Sequence, residues 1–431
     1  MKKSQIKFSQ NAPTTWYPAC QDNFPPKIED VKTKTLQNQW LLSMCGFDAR
    51  KYDLSAYPAD MFSYTSLTKW GKKPKGFNPE QVLEEGKNPG LGLRALHQLG
   101  LDGTGMSMAI IDSPMMRHPE YEDNIVYYET FGYGENPYAS MHASAVSSIS
   151  VGKTCGVAPK AKLYLLAANS FEKNCPDGMY TSKDKQTYLY YIQALERILE
   201  INARLPEQDK IKIVSVSWDL TEPQADDFAQ MKAVLDKCQE AGIVVNHTGI
   251  QREGLKEHGL DRDISKSADD ITGYKEAYFF QDKYQKDTLS FPMCHRTVAS
   301  HVRPDEYLHE SAGGWSWIKP YESALFLLAK QVDPDLTFED FWKLGLKTAS
   351  KNGRLNIVNP VRLVNTLSKE MLKKLQDKKS LTEYEKSHIQ DLQKWIRGTE
   401  PVSHLSACLK KCAGQKKHTL YSIVDDDIGR A

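Results

Sequence analysis

The sequence lacks a long uninterrupted apolar segment and has almost no net charge. No run of about 18 or more apolar residues occurs in the chain, so a membrane-spanning helix is not expected. The 56 Lys and Arg residues are balanced by 55 Asp and Glu residues. There is therefore no general basic field to attract nucleic acid or an anionic membrane, and we expect neither of them as a partner.

The N-terminal segment lacks the apolar stretch of a secretory signal, since Met1 to Asp30 contain no such run. The eight cysteines are scattered, and only Cys408 and Cys412 are close together, which is weak evidence for a metal site. Disulfides are expected only in an exported protein. Without a signal, we expect reduced thiols and a cytoplasmic location, whereas a removed leader would imply secretion.

The chain has 431 residues, so one large domain with extensions, or two domains, is expected. A hydrophobic content of 40% is enough for a core in a chain of this size. We divide the sequence into an N-terminal extension (1–75), a central domain (76–350), and a C-terminal helical extension with a tail (351–431). The sequence leaves open whether the first segment is a propeptide or a permanent part of the protein.

Apolar segments alternate with amphipathic segments through the central region. Strands are predicted to end at Asp112, Ala168, Trp218 and Val245. Helices are predicted over 94–99, 141–149, 182–205 and 224–241. This alternation indicates an α/β fold with a mostly parallel sheet that is flanked by helices. Residues 251–312 are irregular and polar, so we expect surface loops there, together with an antiparallel excursion.

The C-terminal part of the sequence is predominantly helical in its patterns. A buried helix is predicted from the apolar spacing after Gly313-Gly314. A second helix, over 337–348, is expected to begin at a Thr N-cap that is followed by acids. Residues 360–397 show a charged helical pattern throughout, which predicts a helical appendage.

Three polar residues stand at predicted ends of these elements. Ser316 is expected in the first turn of the buried helix, where backbone N–H groups are unpaired and the helix dipole is positive. Its hydroxyl is therefore either an N-cap or a reactive group. Asp112 ends a strand, where ligands bind in open α/β sheets but where a turn-capping Asp is also common. His142 lies near the start of a helix of small residues and is either functional or structural.

Four segments contain these residues in a recognisable arrangement. The first runs from Gly103-Thr104-Gly105 through Asp112 to His118-Pro119-Glu120, and the second from His142 through 156–163. The third is Val214-Ser215-Val216-Ser217, and the fourth is 314–320, with a proline four residues after Ser316. Together, in the order Asp, His, Ser, they resemble the subtilisin family of serine endopeptidases (subtilases) over roughly residues 76–350.

The resemblance implies a subtilisin-like three-layer α/β fold and acyl transfer through a covalent intermediate. Ser316 would attack the peptide carbonyl, His142 would move the proton, and Asp112 would orient His142. The substrate would be a peptide or protein. The resemblance further implies a set of substrate-binding residues: Ser215, Ser217, Trp218, Asp219 and Gly314.

No cofactor is required by the resemblance, and no metal ligand is assigned. Many subtilases bind structural calcium through loop carboxylates and carbonyls, so calcium remains an expectation that the sequence leaves open. The acid-containing segments Asp261-Arg262-Asp263 and Asp269-Asp270 have no spacing that defines a metal site.

The sequence departs from the family pattern around the three residues. Trp315 and Trp317 flank Ser316, where the family usually has Thr and Met. The oxyanion-stabilising Asn of the family is matched here by Ile250, which cannot donate a hydrogen bond. Asn246 and Gln251 are nearby amides that could replace it, and His247 is a third candidate. Loss of one such donor costs about 10²–10³ in rate.

Two functions therefore remain open from the sequence. The first is a serine endopeptidase that forms an acyl-enzyme on Ser316. The second is a catalytically impaired member that binds a peptide or a protein partner in the former active-site cleft. Asp219 stands where the family usually has Gly, which predicts either a preference for Lys or Arg before the cut or a side chain that points to solvent.

Overall fold

The computed structural model describes residues 6–10, 42–43, 45, 48–172, 185–222, 226–277, 280 and 287–408, without the side chains of 42–43, 251–253 and 401–408. Within these ranges, every helix is too short or too polar to cross a membrane. The C-terminal tail from residue 409 onwards, which includes Cys412, lies outside the described residues.

Strands and helices alternate along most of the described chain. The strands are β1 (Leu42–Ser43), β2 (Phe62–Thr65), β3 (Ser107–Asp112), β4 (Ile125–Phe131), β5 (Lys162–Ala168), β6 (Ile211–Val216), β7 (Val244–His247), β8 (Glu257–Arg262), β9 (Tyr274–Glu276), β10 (Leu289–Pro292), β11 (Arg296–Ala299), β12 (Tyr307–Glu310), β13 (Ser350–Asn352) and β14 (Leu355–Ile357). The helices are α1 (Pro79–Gly86), α2 (Leu93–Gln98), α3 (Met141–Val151), α4 (Leu189–Arg204), α5 (Phe228–Glu240), α6 (Trp315–Val332), α7 (Phe338–Thr348), α8 (Pro360–Gln376) and α9 (Glu383–Cys408).

The central sheet has five parallel strands in the order β4-β5-β3-β6-β7. The side chains of β3 alternate between its two faces, as they must in a strand. Met108 and Ile110 belong to the core that contains α3 and α6, whereas Ala109 and Ile111 belong to the core that contains α4 and α5. Helices therefore cover both faces of the sheet, and the predicted α/β fold class is confirmed.

One edge of this sheet was not predicted. Strand β4 pairs in parallel with β5 although its sequence, Ile-Val-Tyr-Tyr-Glu-Thr-Phe, contains polar residues and shows no simple alternation. Several of its side chains are only half-buried, because an edge strand has a neighbour on one side only. The predicted strands at the sheet centre, by contrast, are almost entirely buried and are correspondingly apolar.

Strands β8 to β12 lie within the described residues of 251–312, so the prediction of surface loops for this region was wrong. The antiparallel excursion that was expected with them is present in the pairs β8–β9 and β11–β12. Most residues of these strands are buried. Strands β10 and β8 are parallel within a five-stranded sheet, and β12 pairs antiparallel with both β11 and β2. These strands were not predicted because their sequences are polar, which suggested exposure to water. Many of these polar side chains are buried and make hydrogen bonds inside the protein.

The predicted continuous helical pattern over 360–397 is divided into α8 and α9. Helix α9 begins with a capping box, in which the Thr382 Oγ1 accepts from the Glu385 N–H at 3.2 Å and Glu385 Oε2 accepts from the Thr382 N–H at 2.8 Å. Such a Thr-x-x-Glu motif is a sequence signal for a helix start. The Trp395 indole donates to the Leu99 carbonyl at 3.1 Å, which attaches α9 to the end of α2.

Candidate active site

Asp112 and His142 are hydrogen-bonded to each other at the carboxyl end of the central sheet. Asp112 is the last residue of β3 and is 5% exposed. His142 is the second residue of α3, which begins at the N-cap Ser140. The His142 Nδ1 lies 2.9 Å from Asp112 Oδ1 and 2.8 Å from Oδ2. The two short contacts fix the orientation of an imidazole whose side chain is still 34% exposed.

The Asp112 carboxylate also changes the proton affinity of His142. Burial alone would lower the pKa of the imidazole, but the negative charge of Asp112 and its hydrogen bond together raise this pKa above the ordinary value. The charged imidazolium is therefore stabilised relative to an isolated histidine. That property suits a group that receives a proton during a reaction.

Ser316 lies in the first turn of α6, but it is not the N-cap. The N-cap is Gly314, which has no side chain to accept from the helix N–H groups. Ser316 is therefore the second helical residue, and its own N–H belongs to the set that has no intrahelical partner. The Ser316 carbonyl accepts from the Ser217 Oγ at 3.0 Å, so α6 begins beside the residue that follows β6. Ser316 itself is half-buried.

The amide of Asn246 is used inside the protein, which removes it as an oxyanion candidate. Asn246 is fully buried on β7. Its Nδ2 donates to Glu322 Oε2 at 2.8 Å and to Ser323 Oγ at 3.0 Å, and its Oδ1 accepts from Lys319 Nζ at 3.0 Å. Both amide hydrogens are thus directed to α6 rather than to a substrate. Gln251, the other candidate, has a side chain that lies outside the described residues.

Sequence reasoning missed the buried ionic cluster to which Asn246 belongs. The Lys319 Nζ lies 2.5 Å from Glu257 Oε2 and 3.1 Å from Glu322 Oε2, and all three side chains have no exposed area. Burial opposes the charge of Lys319, but Glu257 and Glu322 hold the pKa of its ammonium group above the ordinary value. The signal in the sequence was the presence of Lys and Glu, three residues apart, within an otherwise apolar helix.

The predicted substrate-binding residues occupy two different environments. Ser215 is 2% exposed in the middle of the sheet, between Ile110 of β3 and Asn246 of β7, so it is covered rather than available to a substrate. Ser217, Trp218 and Asp219 follow β6 and are half-buried. An added Cβ at Gly314 would meet no atom within 4 Å, so the space beside this residue is open.

Asp219 takes part in a turn beyond β6. Its Oδ1 accepts from the Thr221 N–H at 2.8 Å and from the Thr221 Oγ1 at 2.9 Å, the pattern of an Asx turn. Its carbonyl accepts from the Tyr188 hydroxyl at 2.9 Å. These bonds identify a structural role for Asp219, whereas the predicted preference for Lys or Arg stays a prediction.

No protein-family model and no curated protein matches the chain. Similar solved structures include the prenylagaramide maturation protease PagA, with 16% identity over 64% of this chain and 98% of that chain at a TM-score of 0.43. A mutant of the PatA protease domain has 16% identity, coverage of 63% and 98%, and a TM-score of 0.44.

A structure of the subtilase cytotoxin SubAB assembly is similar as well. It shares 14% identity with this chain, covers 65% of this chain and 96% of its own, and has a TM-score of 0.45. At these identities and TM-scores, the likeness identifies neither an activity nor a substrate for this protein.

No group of three or more His, Cys, Asp or Glu side chains is arranged to hold a metal ion in the described part of the chain. The expectation of structural calcium therefore has no candidate ligand set of this kind among these residues. Cys155, Cys238 and Cys294 are buried free thiols. Burial raises the pKa of the Cys238 thiol to about 12, so this thiol stays protonated at neutral pH.

Glu310, shortly before α6, gives a prediction for the pH dependence of stability. Its Oε1 accepts from the Ser63 hydroxyl, and burial raises the pKa of the carboxyl from 4.5 to about 7. The folded protein therefore binds this proton more tightly than the unfolded chain does. The associated stability is fully present below pH 4.5 and is lost as the pH rises through about 7, at about 1.4 kcal/mol per pKa unit and about 3 kcal/mol in total.

Urea unfolding of the wild type and of Glu310→Gln at pH 5 and pH 8 measures this contribution. The glutamine variant is expected to lose less of its unfolding free energy between the two pH values than the wild type does. Glu339→Gln, which changes a carboxylate with 72% of its side chain exposed, is the control and should leave the pH dependence unchanged. Equal pH dependence for wild type and Glu310→Gln would contradict the prediction.

Proposed function

We propose that this protein is a serine endopeptidase that forms an acyl-enzyme on Ser316, with His142 as the general base and Asp112 as the group that orients His142. The observation that supports this most directly is the pair of short contacts between His142 Nδ1 and the Asp112 carboxylate. Asp112 was expected to end its strand and His142 to lie near the start of its helix. An imidazole can act as the general base, and a carboxylate can orient it. The proposed substrate is a peptide or protein.

In the proposed reaction, the Ser316 Oγ attacks the scissile carbonyl while His142 takes the hydroxyl proton. The new Oγ–C bond forms and the carbonyl oxygen becomes an oxyanion. His142 then donates its proton to the leaving amine as the C–N bond breaks. A water molecule repeats the sequence on the acyl-enzyme and restores Ser316. Asp112 stabilises the imidazolium in both halves, in line with the raised pKa of His142.

The oxyanion would be bound chiefly by backbone groups. The N–H of Ser316 is in the first turn of α6 and could donate a hydrogen bond to the oxyanion. The positive end of the α6 dipole would add electrostatic stabilisation. The Asn246 amide donates to Glu322 and Ser323. It therefore cannot replace the asparagine side chain that donates to the oxyanion in the subtilisin family. Because one missing donor costs about 10²–10³ in rate, we expect slow turnover rather than none.

Labelling with a fluorophosphonate probe tests this proposal. The wild type is expected to form a stoichiometric adduct at Ser316, which is identified by mass spectrometry of the labelled peptide, and Ser316→Ala should abolish it. Ser311→Ala is the matched control, because Ser311 is a nearby but buried serine and should be dispensable for labelling. A folded wild-type protein that never reacts would exclude the acyl-enzyme mechanism.

A second candidate function is binding of a peptide or protein partner without catalysis. It is favoured by the internal use of the Asn246 amide and by Trp315, which is 39% exposed directly beside Ser316 and offers an aromatic contact surface. In that case the probe would not react, although peptides from a library would still bind and Trp315→Ala would weaken their binding. Cleavage of the same library would instead reveal whether Lys or Arg is preferred before the cut, as predicted for Asp219.

A further inference from the structure

Two buried arginines lie close together, and neither forms an ion pair with a carboxylate in the part of the chain that the structure describes. Arg262 ends β8 and Arg296 begins β11, and each is 3% exposed. The Arg262 Nη2 donates to the His295 carbonyl at 3.3 Å, so its guanidinium reaches the residue directly before Arg296. The Arg296 Nη2 donates to the Cys155 carbonyl at 3.2 Å. Most of the other N–H groups of the two guanidinium groups have no hydrogen-bond acceptor among the described residues.

The unused donors are specific atoms. Nε and Nη1 of Arg262, Nε and Nη1 of Arg296, and the hydroxyl of Tyr321 are buried without a hydrogen-bond partner in the part of the chain that the structure describes. Arg296 and Tyr321 are neighbours, since the Arg296 Cζ lies 5.6 Å from the centroid of the Tyr321 ring. Arg262 is in turn the cross-strand partner of Tyr274 on β9. Five unsatisfied donor atoms are thus gathered in one buried region.

The nearby acids bond to other groups. Asp261 contacts Lys275 Nζ at 3.2 Å and His295 Nε2 at 3.3 Å. Asp269 accepts from the Gly92 N–H at 2.7 Å. Glu310 is opposite Arg296 in the strand register, but its carboxylate accepts from Ser63. None of these three carboxylates forms an ion pair with either guanidinium.

The neighbouring phenols and thiols do not supply the missing negative charge either. Burial raises the pKa of Tyr321, of Tyr274 and of the Cys155 thiol, so all three stay neutral. Arginine remains charged in proteins, and burial together with the positive charge of Arg262 lowers the pKa of Arg296 without removing that charge. Two buried charges of the same sign that form no ion pair with a carboxylate are unfavourable.

We propose that a small inorganic anion binds between the guanidinium groups of Arg262 and Arg296, with the Tyr321 hydroxyl as a further donor. Arginine presents planar N–H donors that suit oxyanions such as sulfate and phosphate, and a halide accepts from the same donors. The anion neutralises part of the buried charge and satisfies donors that the protein leaves unpaired. Because its contacts come from β8, β11 and α6, it joins elements that are distant in sequence.

Thermal unfolding of the full chain as a function of anion concentration tests the site. The protein is first exchanged into sodium gluconate, whose anion is too large for an enclosed site, and gluconate is then replaced by chloride, sulfate or phosphate at constant ionic strength. A saturable rise in Tm of about 3–6 °C is expected for the anion that fits. Saturation with chloride identifies a halide site, and saturation with sulfate or phosphate alone identifies an oxyanion site.

Variants separate this site from a general salt effect. Arg262→Gln and Arg296→Gln are expected to abolish the saturable rise, and Tyr321→Phe to weaken it. Arg303→Gln should retain the full response, because Arg303 is exposed and paired with Asp305 at 3.0 Å. If the buried variants do not fold, crystals of the wild type grown in bromide should show an anomalous peak between the two guanidinium groups for a halide site, and crystals grown in selenate should show one for an oxyanion site. An equal, unsaturable response to all anions with no such peak would overturn the proposal.

Discussion

Replacing Asp112 with asparagine is expected to slow fluorophosphonate labelling of Ser316 by about 10³–10⁴-fold. An asparagine can neither keep the His142 imidazole in the required tautomer nor stabilise the positive charge of the imidazolium, as the carboxylate does. In the wild type both oxygens of Asp112 lie within 2.9 Å of His142 Nδ1. An asparagine side chain that keeps this position offers an N–H group to Nδ1 and so favours the tautomer with its proton on Nε2, which cannot act as a base there. The second-order rate constant of labelling measures the loss.

The pH profile of the same reaction distinguishes this role from a merely structural one. Asp112 raises the pKa of His142, and only the neutral imidazole can take a proton. The acid limb of the wild-type profile is therefore expected above the ordinary histidine value of 6.5, and it should move to lower pH in Asp112→Asn. A variant that is slower but keeps the wild-type acid limb would argue against a direct interaction with His142.

The matched control for this substitution is Asp209→Asn. Asp209 lies two residues before β6, at the opposite end of the sheet, and bonds Lys162 Nζ at 2.6 Å with 31% of its side chain exposed. The chemical change is the same, but the site is remote from His142. Labelling by Asp209→Asn should stay within about twofold of wild type, since surface pairs of this kind contribute little.

Replacing Lys319 with methionine is expected to lower the free energy of unfolding by about 3–5 kcal/mol at pH 7, because the change removes a buried cation that contacts two buried carboxylates. Glu257 and Glu322 lie 2.5 Å and 3.1 Å from the Lys319 ammonium and have no exposed side-chain area. Methionine fills a similar volume, so loss of packing is a minor part of the effect. Urea unfolding measures the difference.

Two further measurements identify the charge as the cause. The destabilisation of Lys319→Met should diminish as the pH falls, since Glu257 and Glu322 can then bind protons, and adding Glu257→Gln should recover part of the loss. Lys343→Met is the control, because Lys343 pairs with Glu339 at 2.8 Å on an exposed helix surface, and this change should destabilise the protein far less than Lys319→Met does. A loss below about 1 kcal/mol for Lys319→Met would show that the cluster does not depend on its cation.

The ionic cluster also shows why one sequence-based candidate was wrong. Asn246 and Asp112 are both polar residues at or near the carboxyl end of a buried strand, and Asn246 was selected as an amide close to the position of the family's oxyanion Asn. Asp112 meets His142, whereas Asn246 meets Lys319 and Glu322 of a helix that lies about 70 residues later in the sequence. Their positions in the strands alone could not show which of the two residues is available to a substrate. The partner of each side chain depends on which helix packs against that end of the strand.

The central strands and most of the helices were predictable because their signals are local. The apolar run of β3, the Thr337 cap of α7, whose Oγ1 accepts from the Asp340 N–H at 3.1 Å, and the spacing of α6 each reside in a short stretch of sequence. Strands β8 to β12 were not predictable in this way. Their buried His, Arg and Glu side chains look like surface residues until their partners are known.

The sequence by itself therefore determined the α/β class and the ends of elements on which Asp112, His142 and Ser316 stand, since hydrophobic periodicity and capping act over a few residues. Only the tertiary structure decided that Asp112 and His142 share a hydrogen bond, that the Asn246 amide is directed inward, and that Arg262 and Arg296 are buried together. Each of these depends on contacts between residues that are distant in the sequence. Such contacts are selected by the packing of whole helices and sheets, and no local pattern encodes them.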